Sequence, residues 1–316
     1  MSILITEPEN YSPIAIRLYQ KLGHVWFGRA PVGREQEVNI LVVRLSFFLD
    51  EAYLSAYPNL KAIVTPTTGL THIHLDFCKK NHIKIFSLAQ CREAIEKITS
   101  TSELTLGLLI SLLRGIPKAH NAVVNCCEWN RDAFRSRQLS SLTLGIVGLG
   151  RIGGHLASYA HALGMRVQAF DPYQPDKRFE KLNVRRQSME ALLPTSDVLS
   201  IHANLTPDNH KLIGEGEISL LPAHALVINT ARGALLDERA AANALRGGGI
   251  GGVAVDVLSE EHTAASIIDS PLVCAARDGL NVVITPHIGG CTTDAMHLTE
   301  ESMARITAQA YLESHL

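Results

Sequence analysis

Residues 144–173, LGIVGLGRIGGHLASYAHALGMRVQAFDPY, admit few folds. A short apolar run stops at Gly148-Leu149-Gly150-Arg151-Ile152-Gly153, a helix-compatible segment follows as far as Gly164, and residues 166–170 read as a second strand ending at Asp171. Strand, glycine turn, helix and strand in this order make one βαβ unit of a parallel sheet. Each part has a use if the ligand is a dinucleotide. Gly148 permits the tight turn, Gly150 lets the backbone approach a pyrophosphate, and Gly153 lets helix and strand pack closely. The free amides and dipole of the helix start favour an anion. Asp171, 18 residues beyond Gly153, sits where a carboxylate accepts the adenosine ribose hydroxyls and repels a 2′-phosphate, which selects NAD over NADP. A glycine turn can also serve packing alone, but here the acid and both strands fall in place with it.

The 316 residues suffice for two domains. With 46% hydrophobic and 19% charged residues, the chain has the composition of a globular protein. A formal net charge of -2 gives no footprint for nucleic acid, so the partner is expected to be a small molecule. Cys78, Cys91, Cys126, Cys127, Cys274 and Cys291 form no CxxC pair and no Cys/His metal cluster, so no metal is expected. The start of the chain lacks the features of a signal peptide, and no apolar run is long enough to span a membrane. A cytoplasmic location is the expectation.

Before the glycine turn, β-rich runs at 3–6, 39–43, 62–64 and 83–86 alternate with segments such as 14–22 that suit helices. This pattern predicts a small α/β domain with a parallel sheet. Arg44 follows one of its strands and residues 65–69, TPTTG, follow another, so both fall where open sheets bind ligands. A surface ion pair and a plain turn are the bland alternatives. Residues 87–100 read as a polar connection, and 102–117 as a strongly apolar helix with Ser102 as its candidate cap, buried between domains or against a second subunit. From there, apolar runs at 144–147, 167–170, 198–201, 226–229, 253–255 and 282–285 predict six parallel strands of a doubly wound sheet. Asp237 is the expected cap of a helix running to Arg246, and the glycines of 247–252 break it. The fold class is therefore α/β, with two Rossmann-like domains built on doubly wound parallel sheets.

Arg232 in INTARG, Glu261 in DVLSEE and His287 in TPHIGG stand at or beyond strand ends. Singly they are unremarkable, since Glu261 is flanked by Glu260 and His262 and the chain has 14 histidines. Together they suit hydride transfer to a 2-keto acid. A planar guanidinium grips a carboxylate in a bidentate manner. An imidazole exchanges a proton with the keto oxygen near neutral pH. A carboxylate orients that imidazole and stabilises its cation.

With these residues in view, the chain resembles the D-isomer-specific 2-hydroxyacid dehydrogenase family, most of all its short 3-phosphoglycerate-dehydrogenase-type members. The motifs GIVGLGRIG, FDPY, INTARG, Asp256-Val257 followed by Glu261, and TPHIGG carry the likeness. The resemblance implies catalytic roles for Arg232, Glu261 and His287. It also implies cofactor contacts at Gly148, Gly150, Arg151, Ile152, Gly153, Asp171, Thr230 and Ala231, and at Asp256 facing the nicotinamide carboxamide. Thr68 and Gly69 fall on the loop whose amides hold the substrate carboxylate, with Arg44 nearby for a distal anion. The last helix, 293–314, is implied to return to the first domain, giving a substrate domain of 1–101 plus 293–316 and an NAD domain of 102–292, with the active site in a hinged cleft. A homodimer built on the apolar helix 102–117 and its neighbours is expected, and the resemblance points the same way.

Several positions depart from the family pattern. Thr67 stands where a glycine is usual, Thr71 and His74 where acids are usual, and Thr65 replaces a basic residue that helps bind phosphate in some relatives. His202-Ala203-Asn204 replaces His-x-Pro, and the segment before Ser102 is several residues longer than in many relatives. The substrate expected is a small D-2-hydroxy or 2-keto acid, with phosphohydroxypyruvate, hydroxypyruvate and glyoxylate-like compounds foremost. The competing reading is an NAD-sensing interaction protein of the same fold with little turnover. The chain ends at Leu316, so a C-terminal regulatory domain is not expected.

Overall fold

The structure is a computed structural model that describes residues 1–70, 72–261 and 263–313. Thr71, His262 and the end of the last helix expected at Ser314 lie outside the described residues. The chain divides into two compact units, unit 1 of Met1–Ile98 with Cys291–Leu316 and unit 2 of Thr99–Gly290.

Unit 1 is built on five parallel strands, β1 (Ser2–Ile5), β2 (His24–Phe27), β3 (Ile40–Val42), β4 (Ala62–Thr65) and β5 (Lys84–Ser87), in the order β2-β1-β3-β4-β5. Their side chains alternate between two buried faces. Ile3 and Ile5 join Ile40, Val42, Ala62 and Val64 on one face, while Leu4, Leu41 and Ile63 lie on the other. Such strands read as unbroken apolar runs because both faces are covered. β2 is absent from the sequence reading: it is a four-residue edge strand, and only Trp26 in it is buried. Residues 88–96, expected as a plain connection, instead form a 3-10 turn, Leu88–Gln90, and a short helix, Arg92–Glu96.

The helix Thr293–Leu312 completes this unit by packing on the helix Pro13–Leu22. Its buried Thr299, Glu300, Met303, Ala304 and Thr307 recur at helical spacing. Glu300, fully buried, accepts a hydrogen bond from the amide of Ser12 at 2.7 Å and pairs with the guanidinium of Arg44. Burial alone pushes the Glu300 carboxyl above its usual range, while the Ser12 amide and Arg44 pull it back.

Unit 2 carries seven parallel strands: β6 (Thr143–Val147), β7 (Arg166–Phe170), β8 (Arg185–Arg186), β9 (Val198–Ile201), β10 (Leu226–Asn229), β11 (Gly252–Val255) and β12 (Val282–Ile284). Their order is β12-β11-β10-β9-β6-β7-β8, which reverses direction at β6 and β9, the arrangement of dinucleotide-binding sheets. The expectation of six strands misses β8, whose two exposed arginines carry no apolar signal. The apolar helix begins at Ser100 and ends at Arg114, where Gly115 at φ 59° closes it. Ser102 is not its cap: the preceding Thr99 holds that position, and Ser102 is buried one turn in, donating to the carbonyl of Ile152 at 3.0 Å. Pro117 belongs to the first turn of a separate helix, Ile116–Cys126. Leu108, Leu109 and Leu112 of the first helix pack on the unit's own sheet and on the helix Arg151–Ala162. Among the described residues no helix is long and apolar enough to cross a membrane.

Removing Glu300 strands a guanidinium whose side chain is only 16% exposed. Glu300→Ala is expected to destabilise unit 1 by about 3–5 kcal/mol, read as a lower urea midpoint. An unchanged midpoint would show that Arg44 finds water instead.

Candidate active site

The glycine turn follows β6 at the point where the strand order reverses. Gly148 sits at φ +96°, and a Cβ there would lie 2.7 Å from the backbone of His202 and Ala203. Gly153 is equally constrained, because its Cβ would meet the carbonyl oxygen of Gly148 at 2.2 Å. Gly150 differs from both: a Cβ there would point into open space, which is the path a pyrophosphate needs. The helix Arg151–Ala162 starts without a side-chain cap and without an acid in its first turn, so its leading amides suit an anion. These features fit a bound dinucleotide.

Asp171, at the end of β7, accepts from the amides of Leu149 at 2.8 Å, Tyr173 at 2.9 Å and Gln174 at 3.2 Å. Its carboxylate is thereby aimed beside the glycine turn while one of about four acceptor sites remains. Arg178, absent from the sequence reading, reaches back from the next helix and donates to the carbonyls of Leu149 at 3.3 Å and Gly150 at 2.9 Å. Gly154 makes room for it, since a Cβ there would lie 2.5 Å from the guanidinium.

Arg232 lies in the turn after β10, held by Asn229. The fully buried Asn229 amide donates to the carbonyl of Arg232 at 2.8 Å and accepts from the amide of Ala231 at 3.0 Å. Thr230, buried in the same turn, meets the hydroxyl of Thr105 at 2.8 Å. The Arg232 guanidinium donates to the carbonyl of Ala231 at 2.6 Å, and burial holds its pKa below the usual arginine value against the opposing pull of Glu261. The following glycine brings in the acid. A Cβ on Gly233 would stand 2.0 Å from the backbone of Leu258, so the segment carrying Glu261 lies directly against the arginine turn. Glu238, nearly buried, pins that segment by accepting from the amide of Ser259 and the hydroxyl of Ser270, both at 2.6 Å.

Glu261 accepts from the amide of Leu258 at 3.3 Å through Oε2 and meets Nδ1 of His287 at 2.7 Å through Oε1. His287 stands at φ 54°, a left-handed backbone that costs a non-glycine residue energy. Asp256 holds it there. Only 1% exposed, its carboxylate accepts from the hydroxyl of Thr285 at 2.6 Å and from the amides of Ile288 at 2.8 Å and Gly289 at 2.7 Å. Asp256, which the family resemblance implies to face the nicotinamide carboxamide, thus also anchors the histidine turn. His202, another histidine near the glycine turn, is half-buried with its Nε2 2.8 Å from the hydroxyl of Ser200, and desolvation drops its pKa to about 3, so its ring is neutral near neutral pH.

In unit 1, the substrate-loop residues make a closed set of local bonds. The hydroxyls of Thr65 and Thr67 meet at 2.9 Å, Thr67 donates to the carbonyl of Gly69 at 2.8 Å, and Thr65 meets Nε2 of the buried His72 at 3.3 Å. Thr68 is exposed beside them. Arg44, expected near a distal anion, instead gives its guanidinium to Glu300 and to the carbonyl of Glu9, at 3.1 Å for the latter, and stacks over the Tyr11 ring at 5.0 Å.

A parallel sheet with this strand order and this glycine turn defines a dinucleotide-binding unit. The chain belongs to the D-isomer specific 2-hydroxyacid dehydrogenase family, whose NAD binding domain matches residues 106–289. The D-3-phosphoglycerate dehydrogenase of Bacillus subtilis is 34% identical over 256 residues, 81% of this chain and 46% of the relative. That of Methanocaldococcus jannaschii is 31% identical over 301 residues, 93% of this chain and 54% of the relative. The chain spans about half the length of these curated relatives. Among solved structures, D-lactate dehydrogenase from Aquifex aeolicus, complexed with NAD and lactic acid, matches with a TM-score of 0.82 at 26% identity, covering 99% of this chain and 96% of that one.

With the Asp171 carboxylate beside the glycine turn, a 2′-phosphate meets a like charge. NADPH is expected to bind at least about tenfold more weakly than NADH, a difference of ~1.4 kcal/mol, measured by titration calorimetry. Equal dissociation constants would contradict this role of Asp171.

Proposed function

We propose that the chain is an NAD-dependent oxidoreductase that moves hydride between nicotinamide and a small D-2-hydroxy acid or its 2-keto counterpart. The observation that carries this reading is the 2.7 Å contact between Glu261 and Nδ1 of His287, with Glu261 also acting on the guanidinium of Arg232. In this arrangement Nδ1 of His287 is engaged by the carboxylate, while Nε2 makes no hydrogen bond among the described residues.

When bound, NAD supplies the hydride acceptor and NADH the donor. The chain's own groups do the rest. Arg232 grips the substrate carboxylate and polarises the keto oxygen. His287, through Nε2, gives that oxygen a proton in reduction and takes one from the hydroxyl in oxidation. Glu261 fixes the ring orientation and balances its charge when both nitrogens are protonated. We assign the backbone amides of Thr68 and Gly69 to the carboxylate as well. Gly148, Gly150, Arg151, Ile152, Gly153, Asp171, Thr230 and Ala231 are assigned to the cofactor, and Asp256 keeps one acceptor site for the carboxamide.

Reduction needs the protonated ring and oxidation the neutral one. Glu261→Gln keeps a group beside Nδ1 but removes the charge that balances the imidazolium, so kcat/KM should fall by about tenfold or more in both directions. His287→Ala should cost both directions about 10²-fold or more, with NADH binding retained in both variants. Equal kcat/KM for Glu261→Gln and wild type would reduce the glutamate to a structural group.

The helix Ile116–Cys126 has no buried residue and exposes Ile116, Val123 and Val124, with Trp129 just beyond it 89% exposed. We assign this apolar face to a homodimer. Light scattering at micromolar protein should give twice the chain mass, and a monomer mass would contradict the assignment.

A further inference from the structure

Substrate choice depends on what the C-terminal ends of the unit 1 strands offer to the part of the molecule beyond the keto acid. Open parallel sheets bind ligands at those ends. The loop after β1 contributes Glu7 and Glu9. Glu7 accepts from the amides of Arg44 at 2.6 Å and Ser46 at 3.1 Å and from the Ser46 hydroxyl, which fixes a carboxylate beneath the loop after β3. That loop holds one cation, Arg44, and its charge is offset by the buried Glu300. The loop after β4 holds no cation among its described residues 66–74 other than His72, which is fully buried, and His74, whose Nδ1 caps the helix Leu75–Lys80 by accepting from the amide of Phe77 at 3.2 Å. A phosphate dianion at these three loops would meet acids and, among their described residues, no free guanidinium or ammonium. By contrast, the loop after β3 exposes apolar side chains, Leu45 at 38% and Phe48 at 41%. Large apolar side chains left on a ligand-binding loop suit an apolar ligand surface.

We propose that the substrate carries an uncharged, apolar tail, with Leu45 and Phe48 as its contacts, and is not phosphorylated. This rests on the reading of the chain as a 2-keto acid oxidoreductase. Arg44 becomes a positioning residue: its ion pair with Glu300 and stacking on Tyr11 hold the start of the loop that presents Leu45 and Phe48. Arg29, exposed after the edge strand β2, is a further cation at this end of the sheet, two strand positions from β3.

The test is a comparison of kcat/KM with NADH for pyruvate, 2-oxobutanoate, 4-methyl-2-oxopentanoate and 3-phosphohydroxypyruvate. The best uncharged-tail acid should exceed the phosphorylated one by about tenfold or more, the scale on which one apolar contact discriminates. Phe48→Ser should raise KM for the apolar acid with kcat little changed, and Leu45→Arg should improve the phosphorylated compound relative to wild type. If 3-phosphohydroxypyruvate equals or exceeds every uncharged-tail acid, the tail assignment is wrong while the oxidoreductase reading stands, and loss of that activity in Arg29→Ala would then identify the cation. If no keto acid is reduced although NADH binds, the oxidoreductase reading fails and takes this proposal with it.

Discussion

The candidate site depends on one buried carboxylate. Asp256, at the end of β11, accepts three hydrogen bonds from the segment after β12, and these bonds hold His287 in a left-handed backbone conformation. Strain of that kind costs on the order of 1–3 kcal/mol and persists only where its surroundings impose it. Two adjacent parallel strands therefore fix the histidine, one supplying the acid and the other the turn. The ring then has a defined nitrogen toward Glu261 and a defined nitrogen left for chemistry.

The same economy of backbone approach recurs around the site. Gly148 lets the turn after β6 touch the segment after β9, and Gly233 lets the turn after β10 touch the segment that carries Glu261. Neither position tolerates a Cβ without displacing main chain. Glu238 and Asn229, both buried, tie down the two segments that meet at Gly233. Arg232, Glu261 and His287 are thus set by contacts among strand ends of one sheet, which places them without long flexible side chains having to find each other.

Much of this was legible in the residues. β9 and β10 coincide with the apolar runs 198–201 and 226–229 because each is buried on both faces and carries an unbroken signal. The turn glycines were readable for the same reason that they are needed. What escaped was short, exposed or distant in sequence. β8 is a pair of exposed arginines and β2 an edge strand, and neither has the pattern of a buried strand. The helix of 102–117 reads as one element because Gly115 stops one helix immediately before Pro117 starts another. The partner of Arg44 stands 256 residues away, so no local pattern reveals that its charge is already matched. Arg178 lies within a helix beyond the acid that ends β7, and nothing in its neighbours points to the glycine turn.

The central claim is that the chain transfers hydride directly from nicotinamide to C2 of a keto acid, with His287 handling the proton. Incubation with NADH stereospecifically deuterated at C4 in each of the two possible positions, followed by mass and chiral analysis of the product, tests this directly. The account predicts that one of the two cofactors delivers its full deuterium to C2 and that the hydroxy acid formed is the D isomer. Deuterium lost to solvent from both cofactors, or an absence of hydroxy acid from any keto acid offered, would contradict it.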